Sequence, residues 1–282
     1  MLYTIFLFIN MNFSELIDLF SLPFMQRAIM GGILLGILGG ILGGFVILRQ
    51  LSLFGNALGH TAFLAVVIGA LLQLPIMIAL IGFLVLFGLG INYLIEKTNL
   101  GGDTILSIVI AGSVALGTIG FNLVPGYRGN LLSILFGDIL AISNLDLVFI
   151  LILLVVSLSW LGLTLPKQIL LTFNSELAQI QGIPVQRYQY IFMIILSLAI
   201  ALTIRAVGIL LVNAFLVIPA ATAKLICNEF LSFLGVSAII GAMSGVIGMI
   251  LSGTFNLPSG PSIVLVQLLG FLIVVFSGQG RY

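Results

Sequence analysis

Two polar side chains near the start of a long apolar run have types and spacing suited to chemistry. In GNALGHTAF, residues 55–63, Asn56 lies four residues before His60, the only histidine of the chain. Residues four apart on a helix project from the same face, and imidazole nitrogen and amide oxygen can both bind divalent metal ions. The pair is therefore a candidate for transient metal binding. The competing interpretation is helix packing, with the imidazole hydrogen-bonded to a neighbouring carbonyl, and these two residues taken alone favour it.

Two further polar residues lie in motifs that we expect near the non-cytoplasmic face: Asp138 in LFGDIL and Asn256 in GTFNLPSGP. The prolines and glycine after Asn256 interrupt helix geometry, so backbone carbonyls there either line a cavity or form a simple interfacial turn. Asp138 joins Asn56 and His60 as a candidate ligand in a metal pathway.

The residues that most enzymes need are scarce in this chain. It has one histidine, eight acidic residues and a single cysteine, Cys227. We find no Ser/His/Asp arrangement, no paired catalytic carboxylates and no phosphate-binding G-x-x-x-x-G-K-[ST] loop. One cysteine excludes an intrachain disulfide and a cysteine-based metal cluster. We therefore predict that the chain is not an enzyme and holds no cofactor of its own.

The composition indicates which solvent surrounds these residues. Hydrophobic residues make up 61% of the chain and charged residues 6%, and the mean hydropathy is +1.38, whereas soluble domains carry about 25% charged residues. The apolar runs are continuous and about 20 residues long, which favours helices over a barrel. We predict an all-α, polytopic transmembrane bundle in contact with lipid. The net charge of +1 gives no reason to expect a nucleic-acid partner.

Polar punctuation divides the chain into about nine spans, so we expect eight or nine crossings. The spans are placed near 26–48, 54–73, 76–95, 104–124, 145–164, 190–207, 208–226, 232–251 and 262–277. The stretch 190–226 has an alternative interpretation as one long span plus a re-entrant segment, and 131–140 is too short to cross. We expect residues 1–25 to form an interfacial lead-in and residues 26–282 to form a single transmembrane domain. Placing six of the nine basic residues in the cytoplasm gives an outside N-terminus and an inside C-terminus.

The first span carries a stripe of glycines every four residues, at 32, 36, 40 and 44. Such a stripe lets a second helix approach closely inside a membrane. A second small-residue row, Ser244, Gly248 and Ser252, occurs late in the chain. Both rows predict tight helix packing, and neither is followed by the lysine of a phosphate loop.

The longest polar interruption, residues 165–189, contains the short helical pattern NSELAQIQG. Asn174 or Ser175 is its expected N-cap, Glu176 lies in its first turn, and Gly182 ends it before Pro184. A capped helix between two spans is either a docking element on the cytoplasmic face or a plain amphipathic connector.

Five motifs in this order resemble one protein family along residues 24–276. They are SLFGNALGHTAF, LFGDIL, FNSELAQIQGIPV, VGILLVNAFLVIPAATA and NLPSGPSIVL. They resemble the membrane permease subunits of ATP-binding-cassette (ABC) transporters for manganese, zinc and iron. The family pattern is G-D-A-L-S-H-A for the first motif and L-F-G-D for the second. It is F-D-P-E-L-A-x-x-x-G for the third and D-L-P-S-G-P for the fifth.

The resemblance implies a function and a set of partners. It implies a homodimer of permeases around a central pathway, two cytoplasmic ABC ATPase subunits that hydrolyse the ATP, and in bacterial relatives an external solute-binding protein that delivers the metal. It implies that the segment at 165–189 is the coupling helix, with the ATPase-facing role carried by Glu176, Ala178 and Gly182. The expected location is a bacterial plasma membrane or a plastid membrane.

Three positions depart from the family pattern, because its aspartates are replaced by Asn56 and Asn256 and its small serine by Gly59. An amide offers a divalent cation a dipole where a carboxylate offers a full charge, so we expect weaker metal binding. The alternatives to a metal importer are a permease of the same build with a non-metal cargo and a transport-inactive scaffold or assembly protein. A secondary transporter is a third alternative, although such proteins usually need titrating groups in the membrane.

Overall fold

A computed structural model describes residues 20–98, 100–124, 139–209 and 211–278 of the chain. Over these ranges the structure is helical and contains no strand, which confirms the predicted all-α bundle. The helices are α1 Pro23–Leu48, α2 Phe54–Leu71, α3 Ile76–Lys97, α4 Gly102–Asn122, α5 Asn144–Phe173, α6 Ser175–Ile180, α7 Val185–Val207, α8 Val212–Ile226, α9 Phe230–Phe255 and α10 Ser259–Phe276, with a 3-10 turn at Ile139–Ala141. All but α6 and α8 are long and apolar enough to cross a membrane, which gives eight candidate spans in this part of the chain.

Parts of three predictions lie outside the described residues. These parts are Asp138, residues 131–138 of the short run at 131–140, and residues 1–19 of the expected interfacial lead-in.

Prolines mark where several of these helices begin. Pro23 occupies the first turn of α1, and Pro75, Pro184 and Pro258 are the N-cap residues of α3, α7 and α10. Proline has a fixed φ and no N–H, and both properties suit the first turn of a helix, where the N–H would have no partner within the helix. The local sequence therefore determines these boundaries.

Polar contacts define the two ends of the bundle. At one end, the Nε of Arg27 donates to the carbonyl of Ile142, and Arg205 pairs with Asp146. The start of α1, the start of α5 and the end of α7 therefore lie together. At the other end, which we call the coupling end, the side chain of Arg49 just after α1 reaches the last turns of α5, next to α6.

Basic residues concentrate at the coupling end. It holds the five described basic residues that were expected in the cytoplasm: Arg49, Lys97, Lys167, Arg187 and Lys224. The opposite end holds Arg27 and Arg205, so the bias agrees with a cytoplasmic coupling end.

Helix α8 is the short member of the bundle and carries the chain back across it. A methyl group built at Gly39 would lie 3.2 Å from the carbonyl oxygen of Phe215, and one at Gly43 would lie 3.4 Å from the Cβ of Ala220. The contacts advance toward the C-terminus on both helices, so α8 runs parallel to α1. The preceding α7 ends at the opposite end and the following α9 starts at the coupling end. The predicted span 208–226 is therefore too long at its start, because Gly208 (φ +92°) breaks the helix and α8 begins only at Val212.

The predicted interruption at 165–189 is also wrong at both ends, because residues 165–173 belong to α5 and residues 185–189 to α7. Helix α5 continues through Pro166 as far as Phe173, although Pro166 cannot donate a backbone hydrogen bond. Helices at membrane depth tolerate proline because neighbouring groups satisfy the freed carbonyl. As a result, α5 extends to the short α6 and only one residue, Asn174, separates them.

The glycine stripe of α1 makes the tight helix packing that its spacing predicts, and the structure shows that its partner is α9. Helices α1 and α9 approach so closely that Gly32 faces Gly245 and Gly36 faces Gly241, backbone against backbone. One turn further on, the hydroxyl of Ser237 donates to the carbonyl of Gly40 at 2.7 Å. Of the second small-residue row, Gly248 packs against Ile263 of α10. Dispersion contacts and a hydrogen bond of this kind are the available attractions between helices in lipid.

Candidate functional site

Before its last turn, helix α2 is buried except for one stripe. Between Phe54 and Val67 every residue is buried other than Asn56, His60 and Phe63, which are half-buried. Their spacing of four and three residues places them on one face of the helix. We call these three residues the open stripe. The structure therefore brings Asn56 and His60 together on one half-buried face of α2.

Two packed contacts border the open stripe. On one side, the hydroxyls of Thr61 and Ser113 of α4 share a hydrogen bond at 3.1 Å. On the other side, a methyl group built at Gly59 would lie 3.0 Å from the carbonyl oxygen of Ile209. Residues 59 and 61 flank His60 on the helix surface, so the imidazole lies between α4 and the segment that leads into α8. The absence of a side chain at Gly59 permits the close approach on that side.

The side chains of Asn56 and His60 have no hydrogen-bond partner within the described ranges. The packing interpretation requires a carbonyl that accepts from the imidazole, and this part of the chain offers none. Nor do its His, Cys, Asp and Glu residues form a group of three or more that could hold a metal ion. One copy of the chain therefore presents one imidazole and one amide here, which makes a weak site. The third candidate, Asp138, lies outside the described residues.

The second candidate site is the coupling segment, residues 174–182. The side-chain oxygen of Asn174 accepts a hydrogen bond of 2.9 Å from the N–H of Leu177, so Asn174 is the N-cap of α6. Glu176 is exposed in the first turn. Gly182 adopts φ +76° with no heavy atom near the place of a Cβ, so glycine is needed there for its backbone conformation and not for space.

Ala178 lies on the face of α6 that packs on the bundle, where it is fully buried and contacts Leu171 of α5 and Val185 of α7. A residue in that place seats the short helix on the bundle and does not itself reach a partner protein. The exposed surface of α6 therefore includes Glu176 but not Ala178.

The coupling segment also exposes large apolar side chains beyond the end of the bundle. Ile180 is 83% exposed and Leu177 is 41% exposed. Apolar residues that stand out near a charged residue on a water-facing tip are typical of protein interaction surfaces. This exposure favours the docking interpretation of α6 over a plain connector.

Arg49 is a functional candidate that the sequence pattern did not reveal. Its Nη2 donates to Gln168 at 2.6 Å and its Nε donates to Thr172 at 3.1 Å, both near the end of α5. The guanidinium also stacks over the Phe192 ring of α7 at 4.3 Å. Burial lowers the pKa of Arg49 to about 10, so the group keeps its charge at neutral pH. Its hydrogen-bond partners lie more than a hundred residues away in sequence, and no local signal points to them.

A second polar cluster closes the opposite end of the bundle. Ser143 and Asp146 form a capping box at the start of α5, with Ser143 N–H and hydroxyl both donating to Asp146. The same carboxylate pairs with Arg205 of α7 at 2.5 Å. The Ser-x-x-Asp spacing before an apolar run is a recognisable helix-start signal, so the local sequence is sufficient to identify this cap.

Asn256 ends α9 and lies in an interfacial turn. It has φ 52° and ψ 44°, and its N–H donates to the carbonyl of Ser252. Asparagine tolerates this left-handed conformation better than most residues, because its short amide can hydrogen-bond locally. The simple-turn interpretation of Asn256 is therefore the one the geometry favours.

Comparison with known proteins places these features in a family context. The sequence matches the ABC 3 transport family over residues 21–278. It is 34% identical to the high-affinity zinc uptake system membrane protein ZnuB of Haemophilus influenzae, over 89% of this chain and 97% of that one. It is 35% identical to the manganese import system permease protein ScaB of Streptococcus gordonii, over 90% and 91%.

A solved structure agrees with the sequence matches. A chain of PsaBC from Streptococcus pneumoniae, solved in complex with Fab, superimposes with a TM-score of 0.82 at 32% identity. The superposition covers 94% of this chain and 96% of that one.

Proposed function

The chain belongs to the ABC 3 transport family, and from this we propose that it is the permease through which an ATP-driven importer passes a divalent transition-metal ion across a membrane. The similar proteins named for zinc uptake and manganese import make both ions candidates for the cargo. ATP hydrolysis belongs to a separate subunit in this proposal, and the chain itself supplies the pathway.

The observation that carries the proposal is the open stripe of α2. A helix that is otherwise closed in keeps one accessible face, and that face holds the only histidine of the chain with an amide one turn away. Polar groups at membrane depth are costly and mark substrate pathways. Imidazole nitrogen and amide oxygen are suitable ligands for Zn²⁺ and Mn²⁺ respectively.

The incomplete burial of the open stripe supports a homodimer. Asn56 and His60 are only half-buried in one copy of the chain, so a pathway along the stripe needs a second wall. A second copy related by two-fold symmetry would supply that wall. Two copies would then offer two imidazoles and two amides around a central axis, which is a donor set of ordinary size for a transition metal.

A site built from neutral donors suits transport. Conduction requires binding that is strong enough to admit the ion and weak enough to release it. With Asn56 in place of a carboxylate, the ion meets dipoles and imidazoles without a fixed negative charge from this helix. We propose brief binding beside His60, followed by release when the pathway opens to the cytoplasm.

The coupling segment is the proposed docking site of a cytoplasmic ABC ATPase. Its cap, its exposed Glu176 and its exposed Ile180 and Leu177 form a rigid apolar knob with a charged edge. The end of the bundle opposite the coupling end is the proposed entry side, where an external solute-binding protein would release the ion.

Docking is tested by co-purification of an ATPase with the Ile180→Asp variant. A charge on the exposed apolar knob should remove the partner at matched membrane abundance. Ile226→Asp is the control, because Ile226 is another exposed isoleucine, at the end of α8. Retention of the ATPase by Ile180→Asp would contradict the docking assignment.

The metal role is tested by equilibrium binding of Zn²⁺ and Mn²⁺ to the purified wild-type chain and two variants. His60→Ala should weaken binding about tenfold or more, as expected for loss of a ligand. Ile68→Ala removes a half-buried apolar side chain two turns away on the same helix and should leave binding unchanged. Equal affinity of wild type and His60→Ala would remove His60 from the pathway, and a wild-type chain that binds neither ion would favour a non-metal cargo.

A further inference from the structure

We propose that Arg49 is the positioning residue that transmits movement of the coupling segment to helix α2 and its open stripe. The inference rests on the proposed function, because it assigns a part in coupling to a residue outside both the docking surface and the metal pathway.

Arg49 holds three helices together at the coupling end. It follows the last residue of α1, donates to Gln168 and Thr172 of α5, and stacks on Phe192 of α7. Thr172 lies three residues before the start of α6, and Phe192 lies on the helix that follows it. The guanidinium therefore contacts the chain on both sides of the coupling segment.

Only arginine can make this set of contacts at once. The planar fork directs its Nε and Nη2 at two acceptors while its face lies on an aromatic ring. Burial strengthens hydrogen bonds from a charged donor, since less water competes for them. A displacement of the end of α5 is therefore passed to Arg49 and is not taken up by a loose contact.

The turn after Arg49 is rigid and leads directly to α2. Three backbone hydrogen bonds hold residues 49–51 on the end of α1, and a fourth joins Phe54 to Leu51. Gln50 adopts φ 56° within this turn. Leu51 is buried and its N–H donates to Val46 at 2.8 Å. Asn56 lies in the first turn of α2 and His60 one turn further, so movement of this turn shifts both residues of the candidate metal pathway.

A cavity of about 220 Å³ lies beside this junction. Arg49, Thr172 and Phe192 line it together with Ser175, the first residue of α6. The cavity gives the end of α5 and the start of α6 room to shift against Arg49 without displacing packed side chains elsewhere. The junction thus combines strong directional contacts with space for movement.

The test measures coupling separately from assembly. The chain is purified with its ATPase and reconstituted in vesicles, and the number of Zn²⁺ or Mn²⁺ ions moved per ATP hydrolysed is determined. In Arg49→Gln the ATPase should still co-purify and hydrolyse ATP, while ions moved per ATP should fall about tenfold, the effect of losing charge-assisted hydrogen bonds. Arg49→Lys should fall similarly, because it keeps the charge and loses the fork.

The control and a milder variant make the outcomes decisive. Lys224→Gln removes an exposed positive charge from the coupling end and should leave the ratio unchanged. Thr172→Val removes one acceptor at nearly constant volume and should lower the ratio about threefold, a smaller loss than that of the whole guanidinium. It replaces Arg49→Gln as the deciding variant if Arg49→Gln does not assemble.

An unchanged number of ions moved per ATP in the deciding variant overturns the role of Arg49, even if hydrolysis and transport both fall in proportion. That result leaves the proposed function intact. A wild-type complex that moves no metal ion contradicts the proposed function itself.

Discussion

Replacing Gly245 with alanine tests how closely α1 and α9 must pack. The added methyl would lie 2.6 Å from the carbonyl oxygen and 2.7 Å from the carbonyl carbon of Gly32. The first distance is about 0.8 Å short of the 3.4 Å at which ordinary contact begins. The neighbouring atoms belong to the backbone, so no side chain can rotate away and the two helices must separate.

The expected cost follows from the geometry. Overpacking a close interface costs about 1–3 kcal/mol, and separation of α1 and α9 also weakens the hydrogen bond from Ser237 to Gly40. We expect Gly245→Ala to lower the free energy of unfolding by about 2 kcal/mol, measured as thermal or denaturant unfolding of the purified protein in one detergent.

The same helix provides a matched control. Gly235 also lies in α9, and a methyl group built there has no heavy atom within 4 Å. Gly235→Ala should therefore be neutral or stabilise the protein by up to about 1 kcal/mol through helix propensity. If the two variants unfold at the same temperature, the α1–α9 contact is not the tight backbone interface described above.

Three further substitutions have defined outcomes. Asn56→Asp adds a full charge to the open stripe and should tighten Zn²⁺ or Mn²⁺ binding about tenfold while slowing release of the ion. Unaltered affinity in equilibrium binding would place the ion elsewhere. Asp146→Asn should cost about 1–2 kcal/mol of unfolding free energy, because Arg205 loses its carboxylate partner. The half-exposed Arg205 can turn to solvent, which keeps the cost this small. A loss below the error of the unfolding curve would count against this pairing. Asn256→Ala should cost about 1 kcal/mol of unfolding free energy, because the backbone of alanine is strained at φ 52°. Asn256→Gly should be tolerated. Equal stability of the two variants in the same measurement would refute the cap assignment.

The sequence predicted the features that depend on local patterns. Apolar runs gave the long helices, with α1 starting at Pro23 and not near 26, and the glycine stripe gave its close packing. The signals of Asn174 and Gly182 gave the short helix of the coupling segment. In each of these cases the residues that determine the structure are neighbours in sequence.

The misses come from contacts between distant parts of the chain. Gln168 and Thr172 lie 119 and 123 residues from Arg49, so no pattern around Arg49 identifies them. Arg205 and Asp146 are likewise 59 residues apart in the sequence, and no local pattern pairs them. The predicted span 145–164 ends before Pro166, but α5 continues through that proline to Phe173.

The candidate site was predicted in part. The four-residue spacing placed Asn56 and His60 on one face, as the structure has them. What the sequence could not supply was the burial of every other face of α2, which depends on α4 and the start of α8 packing around it. That burial turns a weak pair of polar residues into a candidate pathway.

The most direct test of the account is ATP-driven uptake of Zn²⁺ or Mn²⁺ by vesicles that contain the chain with its co-purified ATPase. The account predicts accumulation that requires ATP and falls at least about tenfold in His60→Ala, with Ile68→Ala close to wild type. Absence of any ATP-hydrolysing subunit from the purified complex, or full uptake by His60→Ala, would contradict it.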